Sequence, residues 1–122
     1  MIEGGCFCGK IQFTIDEKQD GSYLVANCHC SMCRRTSAAP FVTWIIVPRT
    51  ALHLREGNPA VLHSSEKGTR HFCRDCGTPL FFHTTDRPQD VDVTTCCLDN
   101  PDKYVPTVNV YEESRLQWLP LT

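Results

Sequence analysis

Several things are missing from this chain of 122 residues, and each absence removes a class of function. No apolar run approaches the roughly 20 residues that a helix needs to cross a bilayer. No segment joins an amphipathic pattern to a basic face, so no membrane partner is expected. Positive charge is also dispersed: 12 Lys and Arg stand against 14 Asp and Glu, for a net charge of -2. Arg34-Arg35 is the only basic pair, and without a basic stripe no nucleic-acid partner is expected. There is no Ser/His/Asp set, phosphate loop or dinucleotide fingerprint. No repeat, low-complexity tract or linker interrupts the chain, so residues 1–122 are expected to form a single domain. The opening "MIEGGCFCGK" has neither a basic n-region nor an apolar h-region. The expected location is therefore cytoplasmic, where disulfides are disfavoured.

Helical periodicity is scarce as well, and strand patterns dominate. In "KIQFTI", Ile11, Phe13 and Ile15 alternate with polar residues, as in a half-buried strand. Further strands are expected at 22–27, at 41–47 up to Pro48, and at 51–57. A hairpin around Lys67-Gly68 leads to strands at 79–85 and 90–95, with a last one at 107–113. Single helical turns are expected at 31–36 and 99–104. The fold class is mainly β, with cysteine pairs at strand ends where turns can bring them together.

What the chain has in abundance is cysteine: nine, an odd number that fits poorly with a disulfide framework. They fall into four clusters: Cys6-x-Cys8, Cys28-x-Cys30-x-x-Cys33, Cys73-x-x-Cys76 and Cys96-Cys97. "CRDCG" has the form of a zinc knuckle, in which a turn points both sulfurs inward and backbone N–H groups bond the thiolates. Gly77 supplies a permissive backbone after it, and "CFCG" repeats the plan with one residue fewer. Two such pairs would make a closed four-cysteine site that stabilises a small core, although spacing alone permits other pairings.

The cluster "CHCSMC" supplies three thiolates within six residues, one short of a tetrahedral shell. Zinc held by three protein ligands keeps a place for water or substrate and can lower the pKa of a bound thiol. Such a site loses metal easily and is expected to be partly empty or oxidised in purified protein. The blander outcome is that His29, Cys96 or Cys97 completes a second structural site. His29 sits between two ligands and would have to fold back. Cys96 and Cys97 point to opposite faces of a strand, so they cannot both reach one metal. Cys97 shares parity with Val91 and Val93 and is expected to pack inward without metal, whereas Cys96 goes with Asp92 and Thr94.

The blocks "GGCFCGKIQF", "CHCSMCRRTSAAPF", "FCRDCGTPLFF" and "LDNPDKYVP", with Trp118 near the end, resemble the glutathione-dependent formaldehyde-activating family. The resemblance covers nearly the whole chain in the same order. It implies an Mss4-like architecture of small sheets organised around zinc. It also implies two zinc ions per chain: a structural one on Cys6, Cys8, Cys73 and Cys76, and a second on Cys28, Cys30 and Cys33 through which catalysis runs. The implied activity is that of a carbon–sulfur lyase acting on a thiol–aldehyde adduct such as S-hydroxymethylglutathione, with glutathione as the small-molecule partner. The sequence departs from the family pattern at Ala38, where Ser-Gly-Ala-Pro is usual and Ser37-Ala38-Ala39-Pro40 stands here. It departs again at Asn109, where a histidine is frequent.

Other residues have a functional and a structural reading side by side. Arg34 or Arg35 could offset the charge of a zinc–thiolate site or grip a carboxylate, or could be solvated surface. Trp44 reads as core. His71 and His83 could be acid–base groups, but with five histidines and no convergent spacing each reads as surface or structural. Two rival functions follow from the same residues. One is a non-catalytic module in which both metals only hold the fold; the other is a thiol redox enzyme, which would need Cys96 or Cys97 as its reactive group.

Overall fold

The computed structural model describes residues 1–120, and in them the strand patterns assemble into two sheets. The smaller sheet has three strands in the order β1 (Ile2–Gly5), β2 (Gln12–Ile15) and β5 (Leu52–Glu56), all antiparallel. The larger is built from β3 (Leu24–Cys28), β4 (Val42–Pro48), β6 (Ala60–His63), β7 (Gly68–Phe72), β8 (Pro79–Thr84), β9 (Asp90–Thr94) and β10 (Val108–Val110). Its seven strands run in the order β10-β3-β4-β9-β8-β7-β6, antiparallel except where β10 lies parallel to β3. The one α-helix among the described residues, α1 (Ser31–Ser37), follows β3 directly.

Strand register decides what each face carries, because residues opposed across a ladder point the same way. Val25, Ile45, Val93 and Phe81 are opposed in turn across four strands, and all four are buried. This face packs on the smaller sheet, where alternation turns Phe13 and Ile15 inward as expected; the Phe13 and Phe81 rings meet edge to face at 5.2 Å. The other face carries Cys28, Val42, Trp44, Ile46 and Phe82, which form a second and separate apolar cluster with Cys30 and Cys33. Trp44 is core, as expected, but in this smaller cluster.

The parity expected for Cys97 ends early. β9 stops at Thr94, and Thr95–Cys97 is a 3-10 turn. Asp92 and Thr94 are buried rather than solvated, because the outer face is covered there too. Asp92 is held by both ends of the Arg87 guanidinium at 3.0 and 2.8 Å. Thr94 donates to the Pro79 carbonyl at 2.9 Å. No helix among the described residues is long and apolar enough to cross a membrane.

Candidate metal centres

The first-pair and third-pair cysteines meet where two loops of like construction face each other. Cys6 and Cys73 each open a turn: the Gly9 amide donates to the Cys6 carbonyl at 3.1 Å, and the Gly77 amide to the Cys73 carbonyl at 2.8 Å. Both glycines sit at positive φ, +81° and +82°, where a side chain would be strained. The backbone then returns antiparallel, with Cys6 N–H donating to Ile11 O and Cys73 N–H to Thr78 O. The Ile11 amide donates to Cys6 Sγ at 3.2 Å, as a knuckle requires.

Cys6, Cys8, Cys73 and Cys76 place four sulfurs within 4.8 Å of one another. Two of their separations are 3.5 Å (Cys6–Cys8) and 3.7 Å (Cys8–Cys73). A tetrahedral ion with metal–sulfur bonds of about 2.3 Å sets its ligands about 3.8 Å apart. The donor set therefore fits a closed four-sulfur metal site. Hydrogen bonds from the Thr78 hydroxyl and amide pull the Cys76 thiol down to about 5, so one ligand is ready as thiolate.

The second cluster is positioned by the junction of β3 and α1. Cys28 ends the strand, Cys30 caps the helix and Cys33 lies in its first turn; the Cys33 amide donates to Cys30 Sγ at 3.3 Å. Their three sulfurs also lie within 4.8 Å of one another, and no fourth Cys, His, Asp or Glu joins them among the described residues. A shared hydrogen bond from Cys28, then Cys30 and Arg70, pulls the Cys33 thiol down to about 5, while the same sharing pushes Cys28 far up. Three sulfurs this close cannot all ionise without a cation among them.

Arg70 is the residue of the candidate site that sequence reasoning missed. It lies on β7, opposed to Phe82, and points to the same outer face as Cys28 and Trp44. Its Nη2 is 3.7 Å from Cys33 Sγ, and its guanidinium stacks over the Phe82 ring, 4.7 Å from the centroid. Only 8% of it is exposed, and its buried Nε has no partner. An alternating strand with a basic residue reads as surface; only the long-range contact with the cysteine loop reveals its place.

The other residues singled out above divide plainly. Arg34 donates to the carbonyls of His29 and Ser114 at 3.0 and 2.6 Å, tying the cysteine loop to the C-terminal segment. Arg35 is exposed and lines a groove of about 320 Å³ beside α1, with Ser31, Met32, Thr36, Leu62 and His63. His29 is buried and bonds Asn109 through Nε2 at 3.0 Å, outside the cysteine cluster. Cys96 is exposed, and Cys97 packs against the main core with its Sγ donating to Pro79 O at 3.4 Å. His71 and His83, read as unconnected, have their Nε2 atoms 3.2 Å apart.

Ala38 gives physical content to one departure noted in the sequence. It ends α1 in the left-handed conformation at φ 57°, with its amide bonded to Arg34 O. Glycine is the residue that takes this position without strain.

Comparisons with known proteins agree with this construction. The chain is 29% identical to an uncharacterized lyase of Schizosaccharomyces pombe, over 84% of this chain and 82% of that protein. It is 23% identical to a putative glutathione-dependent formaldehyde-activating enzyme of Halomonas elongata, over 99% of this chain and 81% of that one. The fold matches the crystal structure of a Rhodobacter sphaeroides protein with a TM-score of 0.71, at 21% identity, over 88% of this chain and 99% of that chain. The two small sheets and the paired cysteine clusters are those of an Mss4-like architecture. The model of the family described as glutathione-dependent formaldehyde-activating enzyme matches residues 1–114, and the chain belongs to that family.

Proposed function

We propose that the chain is a zinc-dependent carbon–sulfur lyase acting on a small thiol–aldehyde adduct such as S-hydroxymethylglutathione. The observation that carries the reading is the three-sulfur cluster with no fourth protein ligand, backed by a buried guanidinium. Cys6, Cys8, Cys73 and Cys76 hold a structural zinc, and Cys28, Cys30 and Cys33 hold the second. Zinc suits both sets because sulfur-rich tetrahedral ligation favours it. When bound at the triad, zinc supplies a thiophilic Lewis acid with one place open to an exogenous thiol.

The chain's own residues then do three things. The three thiolates carry more negative charge than the dication removes, and Arg70 offsets the remainder from 3.7 Å. Trp44, Val42 and Phe82 wall the cluster with apolar surface and keep water from its inner side. Arg35 and His63 line the groove beside α1, where they can meet carboxylates of a peptidic thiol. In the lyase direction the adduct loses its hydroxyl proton, the carbonyl of the aldehyde forms and the carbon–sulfur bond breaks, leaving the sulfur with the electron pair. The reverse direction condenses thiol and aldehyde. The reading takes residues 1–122 as one zinc-organised domain working in the reducing cytoplasm, where free thiols are available.

The redox alternative finds less support. Of its two candidates, Cys96 and Cys97, the second has its thiol pushed up by burial, which is the opposite of activation, and the first is exposed on the surface.

Exchange spectroscopy on labelled formaldehyde and glutathione tests the proposal. With fully zinc-loaded protein, the exchange between free aldehyde and adduct should accelerate, and calorimetry should show glutathione binding. Unaltered exchange together with no binding at millimolar thiol would defeat it.

A further inference from the structure

The core face of the large sheet is not covered to its edge. The three-stranded sheet ends with β5, and beyond Leu52 and Leu54 the outer strands β6, β7 and β8 present that face to a groove of about 420 Å³. Its walls are mostly apolar, including Leu52, Leu54, Val61 and Phe81. His71 and His83 stand on its floor, on neighbouring strands and diagonal to each other, since His71 opposes Phe81 and His83 opposes Thr69. The groove lies on the opposite face of the sheet from Arg70 and the cysteine triad, so the triad's chemistry does not use it.

The two imidazoles turn the same atoms toward each other: Nε2 to Nε2 is 3.2 Å, with ring centroids 5.2 Å apart and planes tilted by 36°. An ion bonded to each nitrogen at the usual length of about 2.0–2.1 Å would subtend an angle of about 100° at that separation, close to tetrahedral. The separation is already that of two ligands on one ion. From this geometry we infer that His71 and His83 form a third metal site, for a divalent transition-metal ion that favours imidazole, such as nickel, copper or zinc. Two protein ligands leave the remaining positions open to the groove. Arg49 lines that groove and is exposed, so salt screens its repulsion of the ion, and its charge favours an anionic co-ligand in the open positions. The inference rests on cross-strand geometry and stands whether or not the lyase reading does.

The alternative is a plain N–H···N hydrogen bond between the rings, and Ni2+ decides between them. Untagged protein with its cysteine sites loaded with zinc is titrated with Ni2+ by calorimetry, with zinc content measured throughout. One further equivalent should bind with micromolar affinity while zinc is retained. Ring signals of His71 and His83 should broaden before those of His53 and His63 in histidine-resolved NMR. His71→Gln and His83→Gln should each weaken binding at least tenfold, and His53→Gln should leave it unchanged. The ring-broadening experiment needs no variant, so it holds even if a substitution unfolds the outer strands. The site is overturned by no binding up to millimolar Ni2+, by binding that survives both glutamine variants, or by Ni2+ that enters only by displacing zinc.

Discussion

Replacing Arg70 by Met keeps an apolar stem over the Phe82 ring and deletes the charge that faces Cys33. Two unit charges at the observed 3.7 Å attract by about 4 kcal/mol at an effective dielectric constant near 20. That figure applies to a full charge on one sulfur. With a dication bound, the three thiolates share a net charge of about minus one, so the loss falls to about 2–3 kcal/mol. At a pH low enough to protonate the empty triad, where Arg70 faces a negative charge only in the metal-bound state, the triad should then hold zinc roughly 30- to 150-fold more weakly. Folding stability is the wrong readout, because replacing a buried ion with apolar volume is often neutral. Competition against a chromophoric chelator reads the affinity directly, and the four-cysteine site serves as an internal control that should not change. Arg70→Lys keeps the charge but not the planar stack, and should recover most of the affinity. A Met variant that binds zinc as tightly as the parent would refute the charge-balancing role. So would a Lys variant as weak as Met.

Three other perturbations test separate parts of the structure. Cys73→Ser should release one zinc and most of the folding stability, since its sulfur is almost fully buried in the main core; a folded variant with full metal content refutes the closed site. Ala38→Gly should stabilise the protein by about 0.5–1 kcal/mol in urea melts, by relieving the left-handed strain at the helix end; an unchanged midpoint refutes it. Arg87→Gln should cost about 1–2 kcal/mol at neutral pH, moderated because Arg87 is 40% exposed. Burial already raises the Asp92 carboxyl, and losing its partner raises it further. The deficit against the parent is therefore full above that raised value and shrinks as falling pH protonates Asp92; a deficit that grows on acidification refutes the assignment.

The strands legible in the sequence were those with alternating side chains, such as β2 with Phe13 and Ile15, or with a β-branched and aromatic run, such as β4. The cysteine clusters were legible because chelation demands close spacing along the chain. What escaped was set by distant contacts. β1 reads "IEGG", with no strand propensity after its first residue. It is a strand because Gly4 leaves room for the Phe13 ring and the Cys97 carbonyl, both under 3 Å from where a Cβ would stand. Arg70 looks like a solvated residue of an alternating strand, and it is buried against Phe82 and Cys33 from elsewhere in the chain. The histidine pair was invisible for the same reason: His71 and His83 are 12 positions apart, and only the register of β7 against β8 aligns them.

The sheet's two faces would let a closed and an open metal centre coexist in so small a chain. Cys6 and Cys73 are part of the core between the sheets, packed with the cluster that holds Phe13, Ile45 and Val93. Cys28 and Cys33 belong to a different cluster with Trp44, on the far side of the same strands. The main core therefore has no sulfur from the triad, and the triad has none from the core. A metal that leaves or exchanges a ligand at the triad disturbs α1 and the outer cluster, while the hydrophobic burial that stabilises the fold stays in place. An open coordination position weakens a site, and a protein that depended on that site for folding would have to trade stability against exchange. On the proposed function the four-cysteine centre and the inner face would supply the stability, and the outer face would be left free to bind and release.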